Sequence, residues 1–241
     1  MLKIAHRGAK AYAPENTLTS FKKALEFDVD MVELDVRITK DKYPVVIHDR
    51  TLRRINKEYH RINRLTLEQV KLVTIQDIET IPTLAEVLEV IDSKVGLNID
   101  LKVSGSAQIV VQTLRDCKVG LHQVIISSVH PKELRTVAVL EPAITKALIF
   151  RSANASNFWL AMDFLAVLFL PLTHYYIAWV VRHAHADYLS INHRLLSRKR
   201  VDQFKRRGIK VCAWTVNSQR KIDYLKKLGI DAIISNYPDR L

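Results

Sequence analysis

Short runs rich in aliphatic and β-branched residues recur along the chain at Leu2 to Ala5, Met31 to Val36, Pro44 to His48, Gly96 to Leu101, Val124 to Ser128, Thr145 to Phe150, Asp187 to Ile191, Lys210 to Val216 and Asp231 to Ser235. Runs of this kind read as strands. Between most of them apolar positions repeat at three- and four-residue spacing, predicting helices over Thr17 to Phe27, Thr83 to Ile91, Ala107 to Cys117, Pro131 to Val139, Ser197 to Arg207 and Gln219 to Leu228. Strands alternating with helices predict an α/β fold with a largely parallel sheet. Only Arg37 to Tyr43 separates the second run from the third, too little for a crossover helix, so these two are expected to form a hairpin. A turn near Lys40-Asp41 would set Glu33 opposite His48. With one run assigned to that hairpin arm, eight remain, the number that closes a (β/α)8 barrel of roughly 250 residues. No repeat, low-complexity tract or Gly/Ser-rich linker interrupts the 241 residues, so a single domain over 1–241 is expected. An open doubly wound sheet is the alternative, but the first run leads into His6-Arg7-Gly8-Ala9-Lys10, which lacks a Gly-rich dinucleotide fingerprint.

Composition narrows the picture. Apolar residues make up 48% of the chain and charged residues 26%, which excludes a disordered or coiled-coil protein. The net charge of +12 suits phosphate esters, polyanions or an anionic membrane surface as partners. It is unevenly placed: residues 1–120 hold 19 basic and 17 acidic side chains, residues 121–241 hold 18 and 8. Cys117 and Cys212 show no metal-ligand spacing and are expected to be two buried thiols in a reducing compartment. Met1 to His6 enters a strand at once, without the basic and apolar regions of a signal peptide, so a cytoplasmic location is expected.

In a (β/α)8 barrel the site lies at the C-terminal ends of the strands. Those ends carry His6-Arg7, Glu33 and Asp35, His48-Asp49, Asp100 with Lys102, and Trp214-Thr215-Val216-Asn217. Glu33 and Asp35 are two apart on one strand and point to the same face, where two carboxylates repel and lose hydration unless a cation compensates them. Oxygen ligands favour hard Mg²⁺ or Ca²⁺, with Asp100 as a third ligand. His6 and His48 add two groups that titrate near neutrality, and Arg7 and Lys102 add positive charge for an anion. Together these describe a phosphodiester site: one His deprotonates the nucleophile, the other protonates the leaving alkoxide, and metal with Arg stabilises the transition state. A basic nucleic-acid-binding module is the non-enzyme competitor. It leaves the strand-end His, Glu and Asp unexplained and lacks aromatic residues interleaved with the basic ones, so no nucleic-acid partner is expected.

His6-Arg7-Gly8, Ala13-Pro14-Glu15-Asn16-Thr17, Glu33-Leu34-Asp35-Val36, Pro44-Val45-Val46-Ile47-His48-Asp49 and Trp214-Thr215-Val216-Asn217 resemble the motifs of the glycerophosphodiester phosphodiesterases. Thr51-Leu52, Ile81 to Val87 and Asp231 to Pro238 extend the resemblance over nearly the whole chain. It implies a TIM-type barrel and metal-dependent hydrolysis of glycerophosphodiesters to glycerol 3-phosphate and an alcohol. By motif it implies His6 and His48 as the acid/base pair, Glu33, Asp35 and Asp100 as metal ligands, and Arg7, Glu15, Asn16, Lys102 and Trp214 as substrate contacts. Asn16 also stands where it would cap the helix beginning at Thr17. Three positions depart from the family pattern. Asp100-Leu101-Lys102 replaces Glu-x-Lys, Ser127-Ser128 replaces Ser-Phe, and Ser235-Asn236 replaces Thr-Asp. A phospholipase D-type activity of the lysophospholipase D or sphingomyelinase D kind shares this chemistry and is the alternative. His60, His122, His130, His174, His183, His185 and His193 match no motif and read as surface or packing residues.

Phe158 to Val181 holds 20 apolar residues out of 24 and seven of the eighteen aromatics. Pro171 divides it, and a span there would leave the rest of the barrel across the bilayer. It is expected either to pack on the barrel wall or to dip into a membrane interface, with Trp159, Tyr175, Tyr176 and Trp179 as anchors and the basic run from Arg194 to Arg207 near the head groups. In the second case the substrate would be a lysophospholipid or an intact membrane diester rather than the water-soluble deacylated one.

Overall fold

The computed structural model describes residues 1–76, 79–150 and 173–241. Its strands, in chain order, are β1 (Leu2–His6), β2 (Met31–Ile38), β3 (Pro44–Val46), β4 (Thr74–Ile75), β5 (Glu79–Thr80), β6 (Gly96–Leu101), β7 (Val124–Ser128), β8 (Thr145–Phe150), β9 (Tyr188–Asn192), β10 (Lys210–Trp214) and β11 (Ala232–Ser235). Parallel pairing runs β1-β11-β10-β9-β8-β7-β6-β2 and closes because β1 also pairs with β2. This is the eight-stranded barrel that the alternation predicts, and the open-sheet alternative is overturned. The six helices read from periodicity are present as Leu18–Ala24, Leu84–Ile91, Ala107–Asp116, Pro131–Leu140, Arg198–Lys205 and Gln219–Leu228.

Inward-facing positions change character along each strand, and that change makes the site. At the lower end they are apolar: Ile4, Met31, Ile125, Tyr188, Cys212 and Ile234 pack into a closed floor. One pleat repeat further on, where residue i+2 returns to the same face, the chain places His6, Glu33, Ser127, Ser190 and Trp214, all lining one cavity. The outward positions, such as Val32, Leu34, Ile99 and Leu101, pack against the surrounding helices. Closure on a filled floor leaves one open end, and the polar layer faces it.

β3 pairs antiparallel with β2, as the short connection requires, but the register differs from the expectation. The turn is the three residues Lys40-Asp41-Lys42, closed by Thr39 N–H to the Tyr43 carbonyl (3.0 Å), with Lys42 left-handed at φ +70°. A three-residue loop shifts the pairing by one relative to a two-residue turn. Val36 therefore lies opposite Val46, Ile47 N–H reaches the Asp35 carbonyl, and Glu33 does not face His48. From the hairpin the chain enters a region for which periodicity predicts no elements: short helices Arg53–Asn56 and Leu67–Lys71 and the small β4–β5 pair. It has its own apolar centre in Val45, Ile47, Leu52, Ile62, Val70 and Ile81.

The expectation of two buried thiols holds for one. Cys212 lies in the barrel floor, where burial pushes its thiol up to about 12, whereas Cys117 ends its helix exposed. Much of the apolar stretch, 158–172 with Trp159, lies outside the described residues. Its remainder belongs to helix Thr173–His183, which buries Ile177, Ala178 and Val181 and exposes Tyr175, Tyr176 and Trp179. Among the described residues no helix is long and apolar enough to cross a membrane.

Candidate active site

Two neighbouring strands bring the acidic residues together. The β2–β6 register sets Asp35 beside Asp100, and Glu33 lies two residues below Asp35 on the same face. Carboxylate oxygens of Glu33, Asp35 and Asp100 all fall within 4.8 Å of one another. The three are buried, at 5%, 1% and 6% exposure. Two cations partly answer this charge. Lys102 Nζ bonds Asp35 Oδ1 at 2.7 Å and also bonds Asp100, while Arg7 Nε stands 3.1 Å from Asp35 Oδ2. Burial alone would raise the Asp35 carboxyl, but Lys102 and Arg7 overcome it and hold the group well below the usual carboxylate range. Glu33 is held well above that range, first by burial and then by the neighbouring Asp35 charge. Three oxygen-donor side chains at that spacing fit a hard divalent cation.

The loop after β1 is shaped around this cluster. Arg7 adopts φ +54°, which turns its backbone N–H onto Glu33 Oε2 at 2.9 Å and its side chain onto Asp35 and Glu15. Non-glycine residues in this region are uncommon and gather at functional sites. Asn16, also left-handed at φ +59°, does not cap the following helix as expected. Thr17 caps it, accepting from Ser20 N–H, and the Asn16 amide instead clamps Asp35: Nδ2 donates to Oδ2 at 2.8 Å and Oδ1 accepts from the Asp35 N–H. A left-handed backbone and a helical N-cap are incompatible, since the cap residue is extended. Glu15 collects Arg7, Lys10 and Arg54. Burial opposes its ionisation, but the three cations, Arg7 foremost, bring it down to about 2.

The two imidazoles reach the cavity by different routes. His6 ends β1, while His48 arrives on the return arm of the hairpin, its carbonyl held by Arg37 Nε at 2.9 Å. Barrel strands can present only their own ends, so the hairpin is what adds a second histidine over the mouth. Their partners differ. His6 Nδ1 lies 2.6 Å from the Asn236 side-chain oxygen, and His48 Nδ1 lies 2.7 Å from Asp49 Oδ1, while Arg54 Nε holds the other oxygen, Asp49 Oδ2, at 2.5 Å. Burial, reinforced by Arg7, lowers His6 to about 3. Burial also lowers His48, with Arg7 and Lys102 adding and the Asp35 and Asp49 carboxylates opposing.

His6, Arg7, Glu33, Asp35, His48, Asp100, Lys102 and Trp214 therefore line one cavity of about 290 Å³. The buried indole N–H of Trp214 makes no hydrogen bond among the described residues. Glu15 and Asn16 stand behind this layer and line an adjoining cavity. Asn98, Ser190, Arg37 and the Asn236 partner of His6 join the site without having been singled out for it in the sequence. Asn98 was detectable, lying two before Asp100 on the same face. Asn236 stood out only as a departure from the family pattern, and its contact with His6 follows from barrel closure. Ser127 Oγ donates to Asn98 Oδ1 within the polar layer of the cavity, and Ser128 Oγ donates to the Leu101 carbonyl in the barrel wall.

Residues 6–240 match the model of the glycerophosphoryl diester phosphodiesterase family. The chain is 32% identical to the YhdW protein of Bacillus subtilis, over 98% of this chain and 94% of that one. It is 31% identical to a glycerophosphodiester phosphodiesterase of Caldanaerobacter subterraneus, over 100% and 96%. Among solved structures it resembles a phosphodiesterase of Oleispira antarctica in complex with the product sn-glycerol-3-phosphate: TM-score 0.81, 29% identity, 98% of this chain and 93% of that one.

Proposed function

The chain belongs to the glycerophosphoryl diester phosphodiesterase family and is a phosphoric diester hydrolase, and from that premise we propose that its strand-end site cleaves glycerophosphodiesters with His6 as base and His48 as acid, beside a divalent cation held by Glu33, Asp35 and Asp100. The observation that carries this reading is the unlike pairing of two imidazoles that line one cavity, His6 on an amide and His48 on a carboxylate. An amide oxygen accepting from Nδ1–H leaves Nε2 of a neutral ring free to take a proton from the nucleophile. A carboxylate on Nδ1 stabilises an imidazolium, so His48 is the ring suited to carry a proton to the leaving alkoxide.

With Glu33 ionised, as a bound cation would hold it, Glu33, Asp35 and Asp100 bring three negative charges against the two positive charges of Arg7 and Lys102. A divalent cation turns that sum to a single positive charge, the complement of a monoanionic phosphodiester, and supplies Lewis-acid stabilisation of the charge that develops on phosphorus oxygens. Arg7 is fixed from both sides, by Glu15 and by Asp35, so a phosphate oxygen that it contacts meets a preorganised donor. The buried Trp214 N–H supports a contact to a polar group of the bound glycerol phosphate. The product held by the Oleispira relative agrees with a glycerol 3-phosphate half-site.

Exposed Tyr175, Tyr176 and Trp179 favour a second reading, in which the diester is a lysophospholipid met at an interface. One assay tests both. Protein stripped with EDTA is expected to release no glycerol 3-phosphate from glycerophosphoglycerol and to regain activity with Mg²⁺ or Ca²⁺. Full activity in EDTA overturns the metal assignment, and faster turnover of lysophosphatidylcholine micelles would select the second reading.

A further inference from the structure

A diester has two arms, and two cavities meet at His48. One is the site already described; the other, of about 480 Å³, is lined by Lys10, Tyr12, Glu15, Arg54 and Ile55 and shares His48 with the first. If the first holds glycerol 3-phosphate and His48 protonates the leaving oxygen, the alcohol arm extends into the second.

The chemistry of that second cavity is one-sided. Its one carboxylate among the described lining residues, Glu15, is engaged by Arg7, Lys10 and Arg54 together. Arg54 also holds Asp49, which His48 occupies as well. Counting the charged residues that line it, Lys10 and Arg54 against Glu15, leaves one positive charge. Lys10 and Arg54 remain 31% and 54% exposed, so their ammonium and guanidinium groups border the space rather than being sealed behind it. The chain around Arg54 adds to this, with six basic and two acidic residues between Asp49 and Arg64. A quaternary ammonium is instead bound by several aromatic faces, and Tyr12 is the one Phe, Tyr or Trp among the described lining residues.

We propose that the cavity bordered by Lys10, Tyr12 and Arg54 receives the alcohol arm of the diester and selects alcohols that carry an anionic oxygen group, carboxylate or phosphate, over choline. The inference rests on the hydrolase reading above and adds the class of leaving group to it. Two cations several ångströms from one anionic group, in a half-exposed setting, correspond to about a tenfold preference.

The test compares kcat/KM for glycerophosphoserine, bis(glycerophospho)glycerol and glycerophosphocholine at low ionic strength, each relative to glycerophosphoglycerol, whose alcohol is uncharged. The two anionic substrates distinguish a carboxylate from a phosphate. Both are expected to exceed the choline diester by about tenfold, with the advantage shrinking as salt is added and approaching unity in the Lys10→Gln, Arg54→Gln double variant. Equal or inverted preference in the wild-type protein overturns the inference without the aid of any variant, as does an unchanged ratio in the double variant. No turnover of any diester, glycerophosphoglycerol included, overturns the hydrolase reading and this inference with it. Turnover without preference overturns the inference alone.

Discussion

The two histidines illustrate how far residue-level reasoning reaches. Each was visible as an imidazole at a strand end, and their joint placement marked a phosphodiester site. What separates the roles proposed for them is the atom on Nδ1, and for His6 that atom belongs to Asn236, 230 positions away. No local pattern announces such a pair; it follows from the β1–β11 closure that sets Ala5 beside Ser235. The same applies to Asn16, whose identity suggests a helix cap and whose positive φ assigns it to Asp35. The acid/base assignment has a direct consequence for substitution. With an alkyl alcohol as leaving group, His48→Ala is expected to lower kcat by about 10²–10⁴, but with a nitrophenyl ester, whose phenolate needs no proton, it should stay within about tenfold of wild type. His6→Ala should fail on both substrates. Equal losses on the two esters for His48→Ala would show that it is not the proton donor.

At the level of elements, eight strands and six helices were legible because hydrophobic period and segment length agree, and strand identity fixed which carboxylates share a face. Two things were not legible. A one-residue difference in turn length moved the hairpin register, and the described residues between His48 and Ile81 form short helices that carry too few periodic positions to register as a pattern. The turn from β1 into helix Leu18–Ala24 is the element most sensitive to change. Gly8 has φ +77°, and an added Cβ would come within 2.7 Å of the Ser20 backbone carbonyl, where Ser20 Oγ already bonds the Arg7 carbonyl and Ala9 N–H bonds the Ser20 carbonyl. Gly8→Ala therefore combines a left-handed backbone with a steric clash, at a cost on the order of 3 kcal/mol. Because Arg7 is turned by this same loop, activity should fall along with stability. Urea denaturation should show a lowered midpoint, and a midpoint equal to wild type would refute this account of the turn.

For the molecule as a whole, charge was the feature that sequence sums described least well. The half-chain count places the excess in the second half and leaves the first near neutral. Folding concentrates charge locally instead: Lys10, Arg50 and Arg54 gather around His48 at the barrel mouth, while the acidic residues withdraw into the barrel beneath. A buried anionic layer under a cationic rim suits a site that takes up a divalent cation and then a phosphodiester, and the apolar floor below keeps both at the open end. All of this depends on one claim, that the His6–His48 cavity is where a glycerophosphodiester is hydrolysed. The most direct measurement is ³¹P NMR of glycerophosphoglycerol incubated with wild-type protein and with His6→Ala, each with Mg²⁺ and with Ca²⁺. The account predicts that the diester resonance gives way to that of glycerol 3-phosphate with the wild-type protein and persists with the variant; a diester signal unchanged by wild-type protein under both cations, or consumed equally by the variant, would contradict it.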